Sequence, residues 1–167
     1  MSVEAHRAAG KRPIACAILT VSDTRTLETD TSGARTGELL AAGGHTIVDR
    51  AILPDEPARV REHVEALLGR PEVDAILVNG GTGLAPRDTT YEAIAGLLEK
   101  RLDGFGELFR MLSFQEIGAA AMLSRAVAGV ARGKVVASMP GSTAAVELAM
   151  TKLVVPELGH MVKLARG

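Results

Sequence analysis

A short apolar run, Leu77-Val78-Asn79, breaks into Gly80-Gly81-Thr82-Gly83 and then delivers Arg87-Asp88 to a helix start near Thr90. A strand that turns on glycines into a helix is one unit of an α/β fold. Glycines packed this densely permit positive φ and close backbone approach, so N–H groups can converge on anion oxygens with no Cβ in the way. The following helix adds its positive end. The same glycines suit a tight strand-to-helix turn that holds no ligand. The segment is neither a P-loop, because no Gly-Lys-Ser/Thr follows, nor the G-x-G-x-x-G dinucleotide fingerprint. Asp88 can cap the helix, as can Asp55 before Glu56-Pro57, and Thr89 with Glu92 has capping-box spacing. Two caps at Thr89 and Asp88 leave the Asp88 carboxylate available for other work.

The same alternation runs through the chain. Ile14 to Val21 reads as a strand buried on both faces. Thr31 or Ser32 caps a helix that carries Leu39 and Leu40 and stops at Gly43-Gly44, and His45 to Leu53 follows as a strand. Pro57 to Leu68 places Val60, Val64, Leu67 and Leu68 on one helical stripe before the strand Ala75 to Asn79. Beyond the glycine turn, the pattern predicts a helix from Thr90 to Arg101, a broken helix from Phe105 to Ser124, strands Ala126 to Val130 and Lys134 to Met139 joined at Arg132-Gly133, and helices over Thr143 to Val154 and from Pro156. These units predict an α/β fold of three layers, α/β/α, with a mostly parallel sheet and one antiparallel strand.

With 167 residues, 47% of them hydrophobic, the chain buries a core without disulfides or structural metal. We read residues 1–12 as a flexible leader and 13–167 as a single domain. The net charge of −1, with both signs interspersed, gives no footprint for nucleic acid or an anionic membrane. No apolar run approaches the roughly 18 residues of a membrane span. Cys16, the one cysteine, sits in an apolar run and reads as a small core residue, and the lack of a disulfide framework suits the cytoplasm. Phe105, Phe109, Phe114 and Tyr91 are the only aromatic side chains, so a planar ligand must be held mainly by backbone edges and aliphatic groups. Phe105, Phe109, Met111, Leu112 and Phe114 fit either core or a subunit interface.

In such a sheet, ligands bind beyond the carboxyl ends of the strands. Four strand ends carry suggestive turns: Ser22-Asp23-Thr24, Pro54-Asp55-Glu56, Gly80 to Asp88, and Pro140-Gly141-Ser142. Asp55 and Asp88 are the minimum protein ligands for Mg²⁺ when phosphates and water complete the shell. Ser142 can donate to an anion or simply cap the next helix. No Ser-His-Asp, Cys-His or H-E-x-x-H set emerges from His6, His45, His63, His160 and Cys16. Chemistry that aligns and neutralises phosphates, phosphoryl or nucleotidyl transfer, fits best.

Leu19-Thr20-Val21-Ser22-Asp23, Pro54-Asp55-Glu56, Gly80-Gly81-Thr82-Gly83 with Arg87-Asp88-Thr89-Thr90, Gly104 to Arg110, Leu123-Ser124-Arg125 and Met139-Pro140-Gly141-Ser142 together resemble the molybdenum cofactor biosynthesis proteins of the MoaB/MogA type. The resemblance runs from Ile14 to the end of the chain. It implies a three-layer fold, assembly as a homotrimer or a hexamer of two trimers, and adenylylation of molybdopterin by Mg-ATP with release of pyrophosphate. It also implies roles: Asp55 and Asp88 in catalysis and metal positioning, and Gly80, Gly81, Thr82, Gly83 and Arg87 at the nucleotide phosphates. Ser22, Ser113, Pro140, Gly141 and Ser142 fall on the pterin side. The C-terminal half looks more like the MoaB branch, some of whose bacterial members keep the fold without adenylylating. The alternative is thus a non-catalytic molybdopterin-binding or scaffold protein of the same pathway.

Overall fold

Strands β1 (Ala15–Val21) and β3 (Ala75–Asn79) are apolar except for Thr20 and Asn79 at their ends. In the computed structural model, which describes residues 2–9 and 12–167, both faces of these strands are buried. Cys16, Ile18, Ala75 and Leu77 point to one side; Ala17, Leu19, Ile76 and Val78 point to the other. Each side therefore needs a helical layer.

One layer is α3 (Pro57–Leu68) and α4 (Thr90–Ala95), which bring Val60, Val64, Leu67, Leu68, Ala93 and Ile94 to the sheet. The other is α2 (Thr31–Ala42), α5 (Asp103–Ile117), α6 (Thr143–Ala149) and α7 (Val155–Arg166), with Leu40, Phe105, Phe109, Val146, Leu158 and Val162. Between them lies a six-stranded sheet that adds β2 (Thr46–Leu53), β4 (Lys100–Arg101), β5 (Val127–Ala131) and β6 (Lys134–Met139) in the order β2-β1-β3-β6-β5-β4. β5 runs antiparallel to both its neighbours, and the pairs β1–β2, β1–β3 and β3–β6 are parallel. This is the three-layer α/β/α fold with one antiparallel strand. The turn between β5 and β6 has Arg132 at φ 49° and Gly133 at φ 72°, the primed geometry that closes a two-residue hairpin.

Three local expectations are corrected. The helix predicted from Thr90 to Arg101 ends at Ala95. Glu99 N–H donates to Val130 O and Leu102 N–H to Ala128 O, drawing Lys100–Arg101 onto β5 as an edge strand. Gly129 permits this, since a Cβ there would meet Lys100 O at 2.1 Å. Second, α2 is capped by Asp30, which accepts from Gly33 N, and not by Thr31 or Ser32. Third, α6 and α7 form one continuous rod joined by a π-helical turn, Met150–Val154. The widened turn lies just before Pro156, which has no N–H to give and whose ring needs room in the preceding turn.

Of the predicted leader, Met1, Gly10 and Lys11 lie outside the described residues. Val3–Ala9 forms helix α1, and its Arg7 pairs with Glu157 on α7. Phe105 and Phe109 belong to the core, whereas Met111 and Phe114 are 51% and 60% exposed, so the apolar concentration on α5 divides between core and surface. Among the described residues no helix is long and apolar enough to cross a membrane.

Candidate functional site

The neighbours β1 and β3 lead the chain to opposite sides of the sheet, which makes the crevice beyond their ends the topological switch point. The four turns gather there. Ser22 N–H donates to Leu53 O at 2.9 Å, and Gly80 N–H to Met139 O at 3.0 Å. Gly80, at φ 104°, leaves no room for a side chain: a Cβ would sit 2.1 Å from Val21 O, and one on Gly141 would sit 3.2 Å from Gly80 Cα. With the Gly80 N–H committed to β6, the N–H groups of Gly81, Thr82 and Gly83 are left without an acceptor among the described residues.

Neither acidic residue caps a helix. α3 begins after Glu56, and α4 after Thr89 with no side-chain cap, so the capping-box reading of Thr89 and Glu92 fails as well. Asp55 is buried, and its Oδ1 accepts from Thr89 Oγ1 at 2.7 Å and Thr89 N at 3.2 Å. Its Oδ2 faces Gly81, 2.6 Å from where a Cβ would lie, beside Thr90 Oγ1 at 2.1 Å from that point. The Thr90 hydroxyl is buried and has no partner, a polar atom aimed at the space the glycine leaves open. Asp88 folds back on the turn, its Oδ2 accepting from Ala85 N at 3.0 Å and lying 2.7 Å from the Cβ position of Gly83. Two carboxylates and an unsatisfied hydroxyl against a glycine turn fit a hard divalent cation. Among the described residues no three His, Cys, Asp or Glu side chains form a cage, so such an ion would need its other ligands from phosphates and water.

Arg87 forks onto Asp23, at 2.7 and 3.1 Å, and Asp23 Oδ1 also accepts from Asp55 N at 3.0 Å. The Arg87 hydrogen bonds, then that of Asp55, hold the Asp23 carboxyl below its ordinary range. On the pterin side of the resemblance, Ser22 Oγ accepts from Arg25 N at 3.1 Å, and Ser142 caps α6 by accepting from Ala145 N at 3.1 Å, which leaves its hydroxyl proton to donate. Gly141 O accepts from Arg25 Nη1 at 3.2 Å. Ser113 stands apart on the buried face of α5 with Phe105 and Phe109, and among the described residues no hydrogen bond links it to the turns.

The sequence reading missed a buried polar network beneath the crevice. Asp30 Oδ2 accepts from Thr20 Oγ1 at 2.8 Å and Arg50 Nη2 at 3.1 Å, and its Oδ1 from Gly33 N at 3.0 Å. Asn79 donates to Thr20 Oγ1 and accepts from Ser32, which in turn accepts from Arg25. Burial works against the Asp30 charge, but the Gly33, Thr20 and Arg50 hydrogen bonds outweigh it and the pKa is lowered. The available signal was a polar residue at the end of each apolar strand, Thr20 and Asn79, and an aspartate three residues before Gly33.

Comparison with known proteins matches residues 17–160 to a family described as "Probable molybdopterin binding domain". "Molybdenum cofactor biosynthesis protein B" of Halalkalibacterium halodurans is 56% identical over 164 residues, 98% of this chain and 96% of that protein. A crystal structure of a protein of the same name is 50% identical with TM-score 0.90, covering 92% of this chain and 96% of the other. The tungsten cofactor synthesizing protein MoaB from Pyrococcus furiosus is 35% identical, with TM-score 0.83 and coverage of 93% and 99%.

Proposed function

Since this chain belongs to the molybdopterin-binding family and serves molybdenum cofactor biosynthesis, we propose that its four-turn crevice joins AMP from ATP to the terminal phosphate of molybdopterin. An oxygen of that phosphate attacks the α-phosphorus of ATP, the bond from that phosphorus to the bridging oxygen breaks, and pyrophosphate leaves. The observation that carries the reading is the pair Asp55 and Asp88: they come from separate turns, neither is used as a cap, and both lie against a run of free N–H groups.

Asp55 and Asp88 would hold Mg²⁺, which when bound neutralises phosphate charge and aligns the leaving group. The N–H groups of Gly81, Thr82 and Gly83 receive phosphate oxygens without steric obstruction. Thr89 fixes the Asp55 carboxylate through both its N–H and its hydroxyl. Arg87 is tied to Asp23 and exposed, so it reaches an incoming polyphosphate by exchanging one anion for another. Ser22, Pro140, Gly141 and Ser142 form the pterin-phosphate side. No protein nucleophile is needed, and catalysis consists of alignment and charge stabilisation. The exposed Met111, Phe114 and Ile117 of α5 support the trimer or hexamer implied by the resemblance, and sedimentation as a monomer at micromolar concentration would remove it.

The greater likeness to B proteins favours a second reading, a binder or scaffold without turnover. Calorimetric titration separates the two. An adenylyltransferase binds molybdopterin and, in a second event dependent on Mg²⁺, ATP; pterin binding with no response to Mg-ATP supports the binder.

A further inference from the structure

Arg125 lies between the 3₁₀ turn Gly118–Leu123 and β5, yet most of its hydrogen bonds end on the glycine loop. Its N–H donates to Thr82 O at 2.9 Å, its Nε to Gly83 O at 3.0 Å, and its Nη2 to Asp88 O at 2.7 Å. The remaining edge of the guanidinium pairs with Glu92 on α4, and its plane lies 5.2 Å from the centre of the Tyr91 ring. Gly83 and Asp88 are the two ends of the loop 83–88. One side chain thus joins the loop's entry to its exit, while Glu92 and Tyr91 fix that side chain from the helix that follows.

The geometry points to Arg125 as a positioning residue that holds Asp88 in register with Asp55. Resting on the reading above, it acts through the loop and touches no reacting atom. The physical basis is the planar fork. Nε and Nη2 reach two carbonyls at a fixed separation, and the outer nitrogens still serve a carboxylate. Holding Asp88 O sets the direction in which Asp88 leaves the loop. The next residue, Thr89, is the one that holds the Asp55 carboxylate. Displacement of the staple therefore moves both carboxylates relative to the glycine N–H groups. Lysine keeps the charge but replaces the rigid planar fork with a single Nζ on a flexible stem, so the fixed spacing between the bonds to Gly83 O and Asp88 O is lost. The backbone N–H to Thr82 survives substitution by lysine or alanine, so the entry to the loop stays anchored while its exit loosens.

The test uses the full chain with Arg125→Lys and Arg125→Ala, read in two ways. Amide hydrogen exchange is followed at Ala85, whose N–H binds the Asp88 carboxylate, and at Thr89, whose N–H binds Asp55, with Gly33 as the distant control. Exchange at Ala85 and Thr89 should rise about tenfold in both variants and stay unchanged at Gly33. Unchanged exchange at Ala85 and Thr89 overturns the proposal, as does a uniform rise that includes Gly33. Adenylylation kinetics supply the second readout: kcat for Arg125→Lys should fall about tenfold or more while KM for molybdopterin stays constant. Wild-type kcat in Arg125→Lys, or a loss confined to the pterin KM, contradicts positioning. If the wild-type protein makes no adenylylated product, the proposed reaction fails, and the exchange pattern alone decides whether Arg125 orders the loop.

Discussion

Replacing Gly81 with alanine tests how tightly the crevice is built. Gly81 has φ 67°, and an added Cβ would lie 2.1 Å from Thr90 Oγ1 and 2.6 Å from Asp55 Oδ2. Forcing a non-glycine residue into the left-handed region costs roughly 1–2 kcal/mol. Insertion of a methyl into packed surroundings adds about 1–3 kcal/mol, because Thr90 is wholly buried and cannot swing into solvent. Gly44 supplies the control, since it too has positive φ, 84°, but nothing lies within 4 Å of its Cβ position. Gly44→Ala should therefore show the backbone cost alone. For a domain of this size the midpoint shifts are roughly 10 °C for Gly81→Ala and about 4 °C for Gly44→Ala. Thermal unfolding followed by far-ultraviolet circular dichroism measures both. Equal shifts would refute the crowding of Gly81 by Asp55 and Thr90, and with it the arrangement on which the metal-binding reading rests.

Asp30→Asn should destabilise the protein by about 3 kcal/mol near neutral pH, because Arg50 and Arg25 lose a buried anion. The folded pKa of Asp30 lies below its ordinary value of 3.8, so its contribution is present above that value and is lost as pH falls through the folded one. Urea midpoints of wild type and variant should accordingly converge as the pH is lowered below the ordinary carboxylate value, and parallel curves would contradict this. Burial pushes the Cys16 thiol up to about 12, so native protein should resist disulfide reagents at about pH 8 and react only when unfolded. Rapid labelling of the native state would place Cys16 at the surface.

The sheet was legible because β1, β3 and β6 are mostly apolar, and burial on both faces leaves them few alternatives. Strand β4 was not, since Lys100 and Arg101 carry no strand pattern and their pairing depends on the missing side chain of Gly129 across the sheet. In the crevice, Asp55 and Asp88 stood out by residue type and by their place after strand ends. Their partners did not. Thr89 and Thr90 read locally as helix-start residues, and only the path of the loop turns one hydroxyl onto Asp55 and leaves the other unpaired. Arg125 lies far along the chain from the loop it grips, and Asp30 was passed over because Thr31 and Ser32 beside it are equally good cap residues by type. Local propensity locates the turns, whereas the hydrogen bonds between them belong to the assembled sheet edge.

The most direct measurement is detection by mass of adenylylated molybdopterin, with pyrophosphate quantified alongside, after purified protein is supplied with molybdopterin, ATP and Mg²⁺. Asp88→Asn is run in parallel after its fold is verified by circular dichroism. The account predicts equal amounts of both products from wild type and a loss of about a hundredfold or more in the variant, which lacks the carboxylate charge proposed to orient metal and phosphates. Absence of product from wild-type protein that binds molybdopterin, or undiminished turnover by Asp88→Asn, would contradict it.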